Sequence, residues 1–276
     1  MRRTLALSIL VFGLMVAGGG GIALAQEKSS KDVHVDVGWK TWFVTFWERG
    51  SGGGAGGTNA NISGIMSGPT FSINLDQRWT LAAAYLSTDL GQNMDAPAIT
   101  VAAINPVFQI STRRSDLDIT LRHRVTDWLG VYLNFKRLDF EQGEGSFTGV
   151  DRGSIQGIGF GLSASHPVWA PPIRNSSVFL TGTATYLPLS WTDFVQRSLF
   201  SFPFSDASFR AKPTWTNIEA GVGYSRQLDP VVVSVVAAYR YQNLTLETEG
   251  ANLAGRDFQN VHLSFYGPTV ALNIHW

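Results

Sequence analysis

Apolar and polar residues alternate along almost the whole chain after the first thirty positions. Val33, Val35, Val37 and Trp39 alternate with His34, Asp36 and Lys40; Leu117, Ile119 and Leu121 alternate with Asp116, Asp118, Thr120, Arg122 and Arg124. The same period of two runs through Val131, Leu133 and Phe135 against Asn134 and Lys136, and through Ile218, Ala220 and Val222 against Asn217 and Glu219. It recurs in Leu272 and Ile274 against Asn273 and His275. A period of two places one set on each face of a strand, whereas helical spacing would not sort the charges onto one parity. Ten strands are predicted, at 33–47, 62–76, 78–90, 116–126, 129–142, 154–166, 176–191, 216–228, 231–247 and 261–276. The sixth strand and the segment 91–115 leave the count open between eight and twelve, because 91–115 has room for a further hairpin.

The connectors fall into two alternating classes. Short turns surround Asp76-Gln77-Arg78, Thr126-Asp127-Trp128 and Leu228-Asp229-Pro230, with a Pro-rich connection at 167–175; long polar or Gly-rich loops occupy 49–61, 91–115, 143–153, 192–215 and 248–260. Short turns at one end and long loops at the other are the anatomy of an antiparallel up-and-down transmembrane β-barrel with periplasmic turns and extracellular loops. Tryptophans sit where two interfacial girdles belong: Trp79, Trp128 and Trp276 beside the short turns, Trp42, Trp47 and Trp191 toward the long loops.

Met1-Arg2-Arg3, the apolar stretch 5–17 and Ala23-Leu24-Ala25 have the three parts of a cleaved secretory signal peptide at 1–25, leaving a single barrel domain at 26–276. Export in a Gram-negative bacterium would deliver that domain to the outer membrane. No later apolar run is long enough for a membrane helix, so a spanning chain must close as a barrel. The sequence has 21 basic and 21 acidic residues and no cysteine, which argues against nucleic-acid partners and removes thiol nucleophiles, thiolate metal sites and disulfides.

The last strand, with Val270, Leu272, Ile274 and Trp276 on one parity, resembles the C-terminal signature of bacterial outer-membrane β-barrel proteins. That resemblance implies recognition by the barrel-assembly machinery and contact with outer-membrane lipids and lipopolysaccharide. Gly68-Pro69-Thr70-Phe71 recurs in phase as Gly267-Pro268-Thr269-Val270, and the repeated Gly-Pro is expected to mark a bulge or kink. His123 and Arg137 take the lipid-facing parity, where they are expected to snorkel toward the interfaces.

The polar parity supplies the candidate lumen residues Asp36, Lys40, Asp116, Asp118, Arg122, Arg124, Lys136, Glu219 and Arg240. Mixed sign in a narrow barrel predicts either a plugging network of ion pairs or a thin, weakly selective pore. Ten strands lie too near eight for a wide diffusive channel. Omptin-like proteases carry paired aspartates and an Asp-x-His couple; Asp116-Leu117-Asp118 is present, but no Asp-x-His. Lipid A deacylase barrels carry His-x-Ser with a later Glu; His262-Leu263-Ser264 matches the spacing and no acidic residue follows. The glycines at 157, 159 and 161 lie in a strand and form no phosphate cradle, and the five histidines lack metal-ligand spacing. The expectation is therefore a barrel with a structural, surface-interaction or narrow-channel role, without catalytic residues, metal or cofactor. An outer-leaflet enzyme is the alternative, as is a site for a small solute or hydrophobic ligand at the mouth, since the loop stretches 96–108 and 199–204 are unusually apolar.

Overall fold

The computed structural model describes residues 34–51, 60–95, 110–144, 151–173, 175–197, 206–209, 211–248 and 259–276. The expected signal segment and the apolar stretches 96–108 and 199–204 lie outside these residues. The strands are β1 (Val35–Ser51), β2 (Ala60–Asn74), β3 (Trp79–Asp95), β4 (Ile110–Arg124), β5 (Leu129–Glu144), β6 (Asp151–Trp169), β7 (Ser176–Arg197), β8 (Asp206–Phe209), β9 (Ala211–Leu228), β10 (Val231–Thr248) and β11 (Gln259–His275). All pairings are antiparallel and follow chain order from β1 to β7, then β9, β10 and β11, with β11 returning to β1. The short β8 continues β9 along the loop-side end of β7, with Phe194 opposite Phe209 and Leu187 opposite Trp215, so the closed ring has ten members.

Closure gives every strand of the ring two neighbours, which is the condition for placing backbone in lipid. It also fixes which parity faces out. Trp39 and Phe43 of β1, Leu133 of β5, Phe160 of β6, Leu189 of β7, Val222 of β9 and Leu272 of β11 are all exposed, Leu133 at 60% and Leu189 at 66%. An apolar belt on every side of a closed sheet is stable only in a hydrocarbon surround, and the chain is thereby a transmembrane-type β-barrel. Trp79, Trp191 and Trp276 are exposed on this outer surface. His123 packs on Trp79 with ring centroids 4.5 Å apart and the planes tilted by 47°, and Arg137 pairs with Asp139 at 2.9 Å on the outer face.

The strands run further than the alternation suggests. β3 continues to Asp95 and β6 to Trp169, with Pro167 still opposite Phe179, so the Pro-rich connection shrinks to 170–175. The short turns close on side-chain caps. Asp76 Oδ1 accepts from the backbone N–H groups of Arg78 and Trp79 at 2.6 and 2.7 Å, and Thr126 Oγ1 accepts from Leu129 N–H at 3.0 Å. Those two N–H donors hold the Asp76 carboxyl below its ordinary range. Because its folded pKa is depressed, the cap contributes fully above the ordinary aspartate value near 4 and is lost as pH falls below it. Protection of the Arg78 and Trp79 amides, taken relative to their intrinsic exchange rates, is accordingly expected to fall on acidification below about pH 4 in the wild type and to be low at all pH values in Asp76→Ala.

The repeated Gly-Pro performs the same task twice. Pro69 stays in register with Trp39 of β1 while the ladder to β3 is broken between Ser67 and Thr70; Pro268 stays opposite Tyr239 of β10 while the ladder to β1 is broken between Thr269 and Tyr266. In β11 the register on either side of the gap is unchanged, so this is an interruption and not a bulge. A Cβ at Gly68 or Gly267 would strike the carbonyl oxygen of Tyr85 or Phe43, and Gly267 has φ 151°, a region closed to other residues. Gly267→Ala is expected to cost about 1–3 kcal/mol from backbone conformation alone. Urea titration of the folded fraction would show it as a lowered midpoint at unchanged slope.

Candidate functional site

The inward parity builds three layers across the lumen. On the short-turn side the wall is hydroxyl and amide. Asp36 accepts from Ser72 and contacts His275 Nδ1 at 2.6 Å, Ser234 contacts His275 Nε2, Thr80 donates to Asn74, and Ser177 meets Ser225. Tyr132 bridges to Thr185 at 2.6 Å and lies over Gly161, where any side chain would collide with its ring. The inward glycines at 157 and 161 thus make room for side chains of other strands, Ser190 and Tyr132, while that at 159 admits the backbone of β7 at Tyr186 and Leu187.

The middle layer is ionic. Arg114 binds Asp116 through two parallel hydrogen bonds of 2.8 and 2.9 Å and donates to Gln242 at 2.6 Å. Lys136 donates to Asp118 at 2.7 and 2.8 Å and stands 3.6 Å from Asp116. Arg240 reaches Asp118 at 3.2 Å and Asn217 at 3.0 Å; Lys40 grips both oxygens of Glu219, which also accepts from Thr269. Strands β4 and β10 are not neighbours in the ring, so the Asp118–Arg240 pair crosses the interior. At low dielectric such charges are tolerated only when paired, which explains the density of partners; Arg114 Nη1 and Gln242 Nε2 are left without one among the described residues.

The loop-side layer is apolar. Trp42, Val44, Met66, Leu86 and Phe265 form one cluster and Leu138, Ile155, Leu187, Trp215 and Leu244 another, with Leu263 packed against both. The two layers interlock by cation–π contact: the Arg114 guanidinium lies 3.7 Å from the Phe265 ring centre, Arg240 lies 4.7 Å from Trp42, and the Lys136 ammonium 5.1 Å from Trp215. Lys136 is 1% exposed and both tryptophans 0%.

Trp42 is therefore not part of the outer girdle. It has the even, inward parity of β1, opposite to Trp39 and Phe43, and the lumen supplies the apolar environment its position in sequence suggested came from lipid. Trp128 is half-buried beside its turn, and the Trp47 side chain is outside the described residues. Of the nine polar candidates, Lys40, Asp116, Asp118, Lys136, Glu219 and Arg240 meet in the ionic layer, and Asp36 lies in the turn-side wall. Arg122 and Arg124 stand apart near the turn-side mouth. Arg114 and Trp215 were hidden inside expected loops. The signal that reveals the apolar layer is adjacent apolar residues, Phe43-Val44, Ile65-Met66 and Tyr85-Leu86, which make both faces of a strand apolar.

His262 and Ser264 share the outer face of β11. His262 Nδ1 pairs with Thr245 at 3.1 Å and Ser264 Oγ with Asn243 at 3.2 Å, so each engages its cross-strand neighbour. Above the belt, Tyr85, Ser87, Asp89, Arg113, Ser115 and Asp139 line an open recess of about 500 Å³ on the outer wall.

No protein-family model and no curated protein matches the sequence. Among solved structures, the chain is similar to the translocator domain of the autotransporter NalP from Neisseria meningitidis, at 14% identity over 100% of this chain and 97% of that one, with a TM-score of 0.43. It is also similar to Neisserial surface protein A, at 13% identity over 89% and 98% with a TM-score of 0.34, and to the Pseudomonas putida toluene transporter TodX, at 9% identity over 90% of each chain with a TM-score of 0.33.

Proposed function

We propose that this protein is a non-catalytic integral barrel of the bacterial outer membrane, exported by a cleaved signal peptide, with a structural or surface-interaction role and no standing aqueous pore. One observation carries the reading: the apolar layer closes the cross-section with Trp42 and Trp215 at 0% exposure, and in the ionic layer beneath it Arg114, Asp116, Lys136 and Arg240 are buried, while the side chains of Lys40, Glu219 and Asp118 are 16%, 18% and 22% exposed and paired. A wide polar pore requires lumen charges that remain hydrated; here they are spent on one another. Interaction then falls to the outer face and the loops. We read the outer recess, whose lining carries hydroxyls, Arg113 and Arg114 and the acids Asp89, Asp139 and Glu141, as the surface that meets outer-leaflet headgroups, including those of lipopolysaccharide. His262 and Ser264 are read as interfacial polar residues bonded across strands, without an acid to complete a catalytic set.

The test is solute efflux from vesicles reconstituted with the refolded barrel. The proposal predicts that a loaded pentose escapes at the rate of protein-free vesicles. Rapid protein-dependent release, proportional to the amount of folded barrel, would overturn it.

A further inference from the structure

Every cation of the ionic layer has a carboxylate: Lys40 has Glu219, Arg114 has Asp116, and Lys136 and Arg240 share Asp118. Arg122 has none. It projects inward from β4 on the turn side of that layer, with Tyr132 of β5 and Thr80 of β3 as its cross-strand partners. Its Nε is shielded from solvent yet has no hydrogen-bond partner among the described residues. The guanidinium lies over Gly130, where a Cβ would approach Nε to 2.5 Å, so the glycine is what admits it. The neighbouring inward charge is Arg124, also basic and exposed at the end of the strand. The acidic lumen residue at this end of β1, Asp36, is already engaged by His275 and Ser72. The surrounding wall is hydroxyl: Thr80, Ser163 and Tyr132. Exposure rises toward the turns, from 1% at the Lys136 side chain to 36% at that of His275, so water reaches this end of the lumen.

A guanidinium with no carboxylate among the described residues, its Nε buried without an acceptor, stands here beside a second cation among neutral hydroxyls, an arrangement that an anion at the water-accessible end of the lumen would balance. We infer that the turn-side end of the lumen is a binding site for a small free oxyanion of the phosphate type, with Arg122 as the primary contact, Arg124 as the outer one and hydroxyls lining the cup. Guanidinium geometry favours two parallel hydrogen bonds to a tetrahedral oxyanion over contact with a spherical ion. Because the ionic and apolar layers lie beyond it, the ligand enters and leaves from the turn side.

The experiment titrates inorganic phosphate into the refolded mature barrel in zwitterionic detergent at fixed ionic strength, following the arginine Nε–H resonances by NMR, with chloride as the competing salt. The Arg122 resonance, identified by its loss in Arg122→Gln, is expected to shift saturably with phosphate. Arg122→Gln is expected to weaken phosphate binding by about 10- to 100-fold, the range of a charge-assisted hydrogen-bond pair. Arg122→Lys, which keeps the charge without the fork, should retain part of the affinity. Gel mobility before and after heating establishes that each variant is folded. A resonance that does not shift, a shift reproduced by chloride at the same concentration, or equal phosphate affinity in folded Arg122→Gln would each overturn the assignment. Detergent samples report binding whether or not the lumen conducts, so this result is separate from that of the vesicle assay.

Discussion

Replacing Asp116 with alanine is expected to destabilise the barrel by about 3–5 kcal/mol, the cost of breaking a buried ion pair from one side. Asp116 is 1% exposed and sits between two cations, bonded to Arg114 and 3.6 Å from Lys136. Its removal strands the Arg114 guanidinium in a space already crowded by Phe265 and Trp42, with only Gln242 left as a hydrogen-bond acceptor. Lys136 keeps Asp118, so the loss concentrates on Arg114. Replacing Arg114 by methionine together with Asp116→Ala should recover most of the stability, because the pair as a whole contributes little beyond apolar packing. Urea-induced unfolding in detergent, followed by tryptophan fluorescence, gives both values. A loss below about 1 kcal/mol in Asp116→Ala would mean that the ionic layer is hydrated and not sealed.

The second large effect is expected from Trp42→Ala and Trp215→Ala. Each side chain is fully buried in its own cluster of the apolar layer, and truncating a buried tryptophan costs about 3–5 kcal/mol through lost burial and the cavity left behind. The indole of Trp42 lies against Arg114 and Arg240 and that of Trp215 against Lys136, so each truncation also uncovers a cation of the ionic layer. The double variant is expected to fall short of the sum of the singles, because Leu263 packs on both clusters and the two sites are coupled. It is also the variant most suited to admitting water from the loop side.

Much of the fold was legible because a barrel wall imposes a strict period of two, and a one-residue slip would turn Asp118 or Lys136 toward lipid. The lumen was legible only in its charges. Asp116, Asp118, Lys136 and Arg240 stand out against an apolar parity, but the residues that cap them do not. Trp42 reads equally well as a girdle residue, since an indole near a strand end suits an interface and a dry interior alike. Trp215 and Arg114 lie beyond the last clear alternation of their strands, and backbone pairing above the membrane continues without needing it. Arg122 looked like one more member of the ion-pair network; only the ring geometry separates it from the carboxylates on its own strand. The Gly-Pro repeat announced that the strands depart from regularity, but which neighbour loses its ladder depends on the order of strands around the ring.

The central claim is that the lumen is closed, and single-channel recording tests it most directly. Folded wild-type barrel in a planar bilayer, at high salt and both polarities, is expected to give no discrete conductance steps, while Trp42→Ala/Trp215→Ala, if it inserts, gives small ones. Reproducible steps from the wild type, altered in ion selectivity by substitutions at Lys40 or Lys136, would contradict the account and make the ionic layer the lining of a pore.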